Sequence, residues 1–140
     1  MNHWLFQGNP KYYKILAAIQ DFEQMPWRVT RYAKEITVGD GVLIWMAGPE
    51  AGIYAIAQII EPPQFLTTIP DRNYWIDKSS MGSRPQAQIR FTHKLIEKPL
   101  LRSHLRQDPI LKDLAVLRQP NATNFKVTPQ QWQRVDQLKS

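Results

Sequence analysis

Val38-Gly39-Asp40-Gly41-Val42-Leu43-Ile44-Trp45-Met46-Ala47-Gly48-Pro49-Glu50-Ala51-Gly52 opens on a glycine-rich turn, runs through five β-prone residues and turns again. Residues 53–60, rich in β-branched side chains, follow at once. Two apolar runs joined by a short Gly/Pro connection predict an antiparallel hairpin, and the unbroken apolar character of the first predicts a strand buried on both faces. Pro62-Pro63 is expected to end the second strand.

On the N-terminal side, His3-Trp4-Leu5-Phe6-Gln7 reads as a short buried strand stopped by Gly8-Asn9-Pro10. Asn9 is a good helix cap and Pro10 a good first helical residue. Tyr12, Ile15, Leu16 and Ile19 recur at helical spacing, so residues 10–20 are expected to be an amphipathic helix. Met25-Pro26-Trp27-Arg28-Val29 reads as irregular, because proline disfavours helix in the residue before it. On the C-terminal side, residues 64–86 are polar and broken by proline. A short strand is expected at Asn73-Tyr74-Trp75-Ile76 and a mobile loop at residues 78–83. Residues 87–95 alternate, with Ala87, Ile89, Phe91 and Leu95 on one face and Gln88, Arg90, Thr92 and Lys94 on the other, which predicts a strand with a basic stripe. Pro99 and Asp108-Pro109 each open a short helix. Thr128-Pro129-Gln130-Gln131 is a capping box for a last helix reaching about Leu138, with Val127 and Trp132 placed as a hydrophobic staple. The order predicts one α+β domain over residues 1–140: a small mixed, mostly antiparallel β-barrel with peripheral helices.

The 140 residues carry 43% hydrophobic content, enough for a core. No cysteine is present, which excludes disulfides and thiol catalysis. No apolar run approaches membrane-spanning length and no secretory signal opens the chain, so a cytoplasmic location is expected and a membrane partner is not. The net charge is +6, from 18 Lys+Arg against 12 Asp+Glu. Residues 84–118 hold eight basic residues against three acidic ones and so account for +5 of it. Such a segment suits a polyanion, or equally a solvated face.

Catalytic patterns are missing. His3, His93 and His104 have no metal-ligand spacing, no phosphate-cradling or nucleophile-elbow motif occurs, and the carboxylates are scattered. No metal, no cofactor and no enzymatic activity are expected. Tryptophan beside arginine is the informative chemistry, because an indole stacks on a base while a guanidinium pairs with phosphate. Trp4 and Trp132 read as core. Trp27, outside any regular element, and Trp45, at a strand end, read as pocket walls, and Trp75 is left open.

Five segments, in order, resemble the EVE domain, a member of the PUA-like superfamily that also includes ASCH and YTH domains. They are His3-Trp4-Leu5-Phe6-Gln7-Gly8-Asn9-Pro10; Trp27 to Tyr32; Ile36-Thr37-Val38-Gly39-Asp40-Gly41-Val42; Gly52-Ile53-Tyr54-Ala55-Ile56-Ala57; and Thr123-Asn124-Phe125-Lys126-Val127-Thr128 through Trp132. The resemblance covers essentially the whole chain. It implies a five- or six-stranded pseudobarrel and a pocket for a flipped, modified nucleobase. Relatives fused to restriction enzymes recognise modified cytosine in DNA, and YTH relatives read methylated adenine in RNA. This chain leaves no room for a nuclease and is expected to be the reader alone. The more familiar branch has Lys-Ser-Glu-Pro where Gln7-Gly8-Asn9-Pro10 stand, and Tyr-His-Ser-like residues in place of Trp45-Met46-Ala47. The latter segment resembles the restriction-associated branch.

Together these readings expect Trp27, Trp45, Gln7, Asn9, Met46, Ala47 and Gly48 around a modified-base pocket. Arg28, Arg31, Arg90, Lys94, Arg118 and Asn121 are expected along a nucleic-acid backbone. DNA carrying a modified cytosine is the leading partner. Structured or modified RNA bound by a PUA-like module is the alternative, and an ASCH-like enzyme or a small-molecule binder are further readings.

Overall fold

The computed structural model describes residues 1–139. The hairpin forms the middle of one mixed sheet. Its strands are β1 (His3–Gly8), β2 (Gln24–Arg28), β3 (Gly41–Met46), β4 (Gly52–Gln64), β5 (Gln86–Lys94), β6 (Leu100–Leu101) and β7 (Asn124–Val127). The helices are α1 (Ile15–Asp21), α2 (Arg102–Leu105), α3 (Ala115–Arg118) and α4 (Pro129–Leu138). Strand order is β2-β5-β4-β3-β1-β7, with β6 added beside β4. Among the described residues only the β1–β3 pair is parallel, running from His3 opposite Gly41 to Gly8 opposite Met46. The other pairs are antiparallel.

Period-two alternation sorts the central strands into two cores. Trp4, Phe6, Val42, Ile44 and Met46 turn to one face, where Trp27 from β2 and Ile15, Ala18 and Ile19 from α1 cover them. Leu5, Leu43, Trp45 and Ile53 turn to the other, under Leu105, Val116 and Val135 from the C-terminal helices. Buried on both sides, β3 has the unbroken apolar run its sequence shows.

The mixed, mostly antiparallel sheet with peripheral helices is the expected one, and it is a pseudobarrel with an open seam. Edge strands β2 and β7 share no ladder among the described residues. Instead the fully buried Asn124, at the start of β7, reaches the end of β2. Its Nδ2 donates to the Arg28 carbonyl at 3.1 Å, and its Oδ1 accepts from the Thr30 amide at 2.7 Å. One side chain thus ties together edges that a closed barrel would join by a row of backbone bonds.

Several elements differ from expectation for identifiable reasons. Residues 24–28 are a strand rather than irregular, because β2 is an edge and Pro26 can sit there without breaking a central ladder. Pro62-Pro63 does not end β4, which continues to Gln64 through register shifts against β5. The helix expected at residues 10–20 begins only at Ile15. Asn9 caps a tight turn instead: its Oδ1 accepts from the Lys11 amide at 2.9 Å, and its carbonyl accepts from the amides of Tyr12 and Tyr13. The chain is held out of helix there because Tyr13 forms a bridge with Trp75 and the Lys14 amide donates to the Tyr74 carbonyl. Residues 73–76 give that single bridge in place of a strand, beside a 3-10 turn at Arg72–Tyr74, and a second turn occupies Lys78–Ser80 in the expected loop. The capping box at Thr128 and Gln131 is present in both directions.

Candidate ligand-binding cavity

A cavity of about 560 Å³ is lined by the ends of β1 and β2, the turn at residues 9–13 and the segment at residues 71–80. Its walls are aromatic. Trp27 projects from β2 and is 6% exposed, belonging both to the core and to the cavity lining. A Cβ on Gly8 would lie 2.2 Å from Ile15 Cδ1 and 3.1 Å from the Trp27 ring, so glycine there permits their close packing. Tyr13 and Trp75, brought together by their bridge, meet edge to face with ring centres 4.9 Å apart. The half-exposed Tyr12 completes the rim, with the Lys11 ammonium 5.6 Å from its ring centre.

The polar groups lie deep. Asp71 lines the cavity yet is 1% exposed. Its Oδ2 accepts from the Tyr13 hydroxyl at 2.7 Å, while its Oδ1 has no partner among the described residues. The Trp75 indole N–H lies close enough to favour the carboxylate but outside hydrogen-bonding geometry, so Nε1 is buried and unpaired as well. Burial raises the Asp71 carboxyl above its ordinary range; the Tyr13 bond and the Trp75 N–H offset part of that rise. Burial likewise pushes the Tyr13 hydroxyl far upward, with the neighbouring carboxylate adding to it, so Tyr13 remains a donor. Gln86, buried at the start of β5, adds an amide to the lining.

Charge gathers at the cavity's side. The half-buried Arg28 guanidinium sits 5.2 Å from the Trp75 ring centre and donates to the Ser80 carbonyl at 3.2 Å. Burial lowers its pKa, the nearby Arg84 lowers it further, and Asp77 opposes both. Arg28 thus brings a positive charge to the cavity's side, with the Asp77 carboxylate also in the lining.

Of the expected pocket residues, Trp27, Gln7, Asn9 and Ala47 line the cavity. The Gln7 amide nitrogen is already engaged, donating to the carbonyls of Pro120 at 2.8 Å and Ala122 at 2.6 Å. It therefore fixes the residue 120–123 wall and leaves only its carbonyl oxygen for a ligand. Trp45 is not a pocket wall. It is 2% exposed on the opposite face of the sheet, packed among Leu5, Leu43 and Ile53, because strand alternation sends its side chain away from Ile44 and Met46. Met46 points to the cavity's face but is buried in the core, and Gly48 forms the following turn at φ 105° against Pro10; neither lines the cavity.

Of the expected backbone contacts, Arg28 and Asn121 are at the cavity. Arg31 turns inward, its Nη2 donating to the Asn124 carbonyl at 2.8 Å and its guanidinium lying near the rings of Tyr32 and Phe125. Arg90 bonds to Gln58 Oε1 and Lys94 to the Gln20 carbonyl, both away from the cavity, as is the exposed Arg118. Sequence reasoning missed Tyr13 and Asp71. The unassigned Trp75 was the one visible signal in that segment.

The EVE domain family model matches residues 2–138. No curated protein matches the chain. Among solved structures, a hypothetical protein from Leishmania major is similar at a TM-score of 0.76 and 16% identity, covering 99% of this chain and 94% of its own. Human THYN1 in complex with 5-methylcytosine-containing DNA is similar at 0.73 and 13%, with coverage of 100% and 98%. A mutant form of an ASCH protein from Zymomonas mobilis is similar at 0.63 and 13%, with coverage of 100% of each chain. At these identities the neighbours speak to the fold, while the match over nearly every residue assigns the family: the chain belongs to the EVE domain family.

Proposed function

We propose that this chain is a non-catalytic nucleic-acid-binding module that accepts a flipped, modified nucleobase into the cavity lined by Trp27, Tyr13 and Trp75. The observation that carries the reading is a cavity with aromatic walls and a guanidinium at its side. Aromatic faces attract a base regardless of its identity, and Arg28 takes the phosphate. The THYN1 neighbour, in complex with 5-methylcytosine-containing DNA, supports modified cytosine in DNA as the first ligand to try. Each aromatic face contributes about 1–3 kcal/mol.

The test is fluorescence anisotropy on short labelled DNA and RNA. The oligonucleotides carry cytosine, 5-methylcytosine, 5-hydroxymethylcytosine, adenine or N6-methyladenine, at two salt concentrations. A preference for one modified oligonucleotide that survives the higher salt is expected, because base contacts depend less on counterion release than phosphate contacts do. Binding that ignores modification and vanishes with salt would overturn the reading. A preference for RNA at matched sequence would move the assignment to the RNA-binding alternative.

A further inference from the structure

The cavity has a lip with two faces. Residues 12–14 and 74–76 pair there as a short ribbon: the Lys14 amide donates to the Tyr74 carbonyl at 2.8 Å and the Ile76 amide to the Tyr12 carbonyl at 2.9 Å. Tyr13 and Trp75 are opposed in it, and both line the cavity. Alternation along extended chain turns their neighbours Tyr12 and Ile76 to the other side. These two are accordingly 44% and 53% exposed, and neither belongs to one of the two cores. Tyr12 also reaches the cavity rim. Its backbone is fixed on both sides, the amide donating to the Asn9 carbonyl at 3.0 Å and the carbonyl accepting from the Asp77 amide as well as from Ile76. The exposed Lys11 and Lys14 stand on either side of it in the chain, and neither forms an ion pair among the described residues.

We propose that this outer face is a stacking platform for the nucleotide next to the one in the cavity, with Tyr12 as its ring and Lys11 and Lys14 on the adjoining phosphates. This inference rests on the base-binding reading above. A base drawn into a pocket leaves its stack, and the neighbour it leaves behind has a bare face. An exposed aromatic ring at the rim covers that face, and it loses little freedom in doing so because its backbone is already fixed. Ile76 beside it widens the apolar surface. Stacking accepts any base, and lysines on both sides of the ring match a phosphate chain, so the surface fits nucleic acid better than an apolar protein face.

The experiment is competition anisotropy with single-stranded DNA carrying one 5-methylcytosine, in which the 5′ or the 3′ neighbour is replaced by an abasic residue. Every phosphate is retained, so the charge is constant. An abasic neighbour also frees the central base from its own stack, so the deciding quantity is the loss of affinity in the native chain relative to that in Tyr12→Ala. On one of the two sides the native loss is expected to exceed the variant's by about fivefold or more, and Tyr12→Phe is expected to keep the native loss. A thermal melt confirms that the variants are folded, and Tyr12→Leu, which keeps bulk without the ring, takes the place of Tyr12→Ala should the latter unfold. Equal losses in native and ring-less chains on both sides would overturn the inference. So would a ring-less chain that binds DNA as the native one does but no longer self-associates, which would assign the face to a second copy. A distinct failure marks the parent reading: if an abasic residue in place of the 5-methylcytosine itself leaves native affinity unchanged, no base enters the cavity and both readings fall. If the central base matters and Tyr12 makes no difference to its neighbours, the base reading stands and the platform falls.

Discussion

Asp40 and Asp71 are equally buried, at 2% and 1% exposed, and opposite in every other respect. Asp40 lies at the turn before β3. Both its oxygens are occupied: Trp4 Nε1 donates at 2.8 Å, the Thr37 amide at 3.0 Å and the Asn2 amide at 3.1 Å. Burial alone would raise its pKa, but these bonds outweigh burial and hold it below the usual carboxylate range. Asp71 has one well-formed bond, from Tyr13, with only the Trp75 N–H near its other oxygen, and there burial prevails. A carboxylate whose bonds are complete is held as an anion despite burial, whereas one with fewer bonds is pushed toward its protonated form.

The largest effect expected from breaking this contrast is on stability, at Asp40. Asp40→Ala strands the Trp4 indole and two backbone amides, and urea unfolding should show a loss of about 3 kcal/mol. Next comes the cavity wall. Trp27→Ala should weaken binding of a modified oligonucleotide by about 1–3 kcal/mol while salt-dependent background binding persists, read by anisotropy. An unchanged selectivity would remove Trp27 from the site. Smaller still, Asp71→Asn should alter stability by less than about 1 kcal/mol, since it removes a charge whose bonding was incomplete. A loss matching that of Asp40→Ala would make Asp71 structural.

The finest test is pH. Asp40's folded pKa is depressed, so its contribution is complete above the unfolded value and is lost as pH falls through the folded one. Asp71's folded pKa is raised, so the folded state takes up its proton first, and that contribution is present at low pH and lost as pH rises through the folded value. Melts across the acidic range should therefore show Asp40→Asn flattening the acid loss and Asp71→Asn steepening it. Parallel curves for the two variants would erase the distinction.

The same contrast explains what could be read from the residues alone. The β3–β4 hairpin, strand β5 and the α4 capping box depend on neighbours a few positions away, and their patterns are explicit in the sequence. Asp40 was visible inside a Gly-Asp-Gly turn, although its partner Trp4 was not. Strand β7 went unread because its ladder is with β1, at the far end of the chain. Trp45 was misplaced because a strand end says nothing about which face a side chain takes until the partner register is known. Asp71 gave no signal, since its burial depends on Tyr13, 58 positions earlier, and a lone aspartate among prolines reads as a polar loop.

The β1–β7 ladder has a consequence for the order in which the molecule assembles. Residues 3–6 must find residues 124–127, a closure over some 120 positions, whereas β3, β4 and β5 are joined by nearer connections. Distant pairings come late when chain entropy sets the pace. Pulse-labelled hydrogen exchange should thus protect the amides of Ile44 and Ile56 before that of Phe125. Gln7 and the wall at residues 120–123 depend on that last pairing, through the Gln7 amide's bond to the Thr123 carbonyl. A partly folded chain with an intact hairpin would then lack the cavity, so binding competence is acquired in the final step of folding.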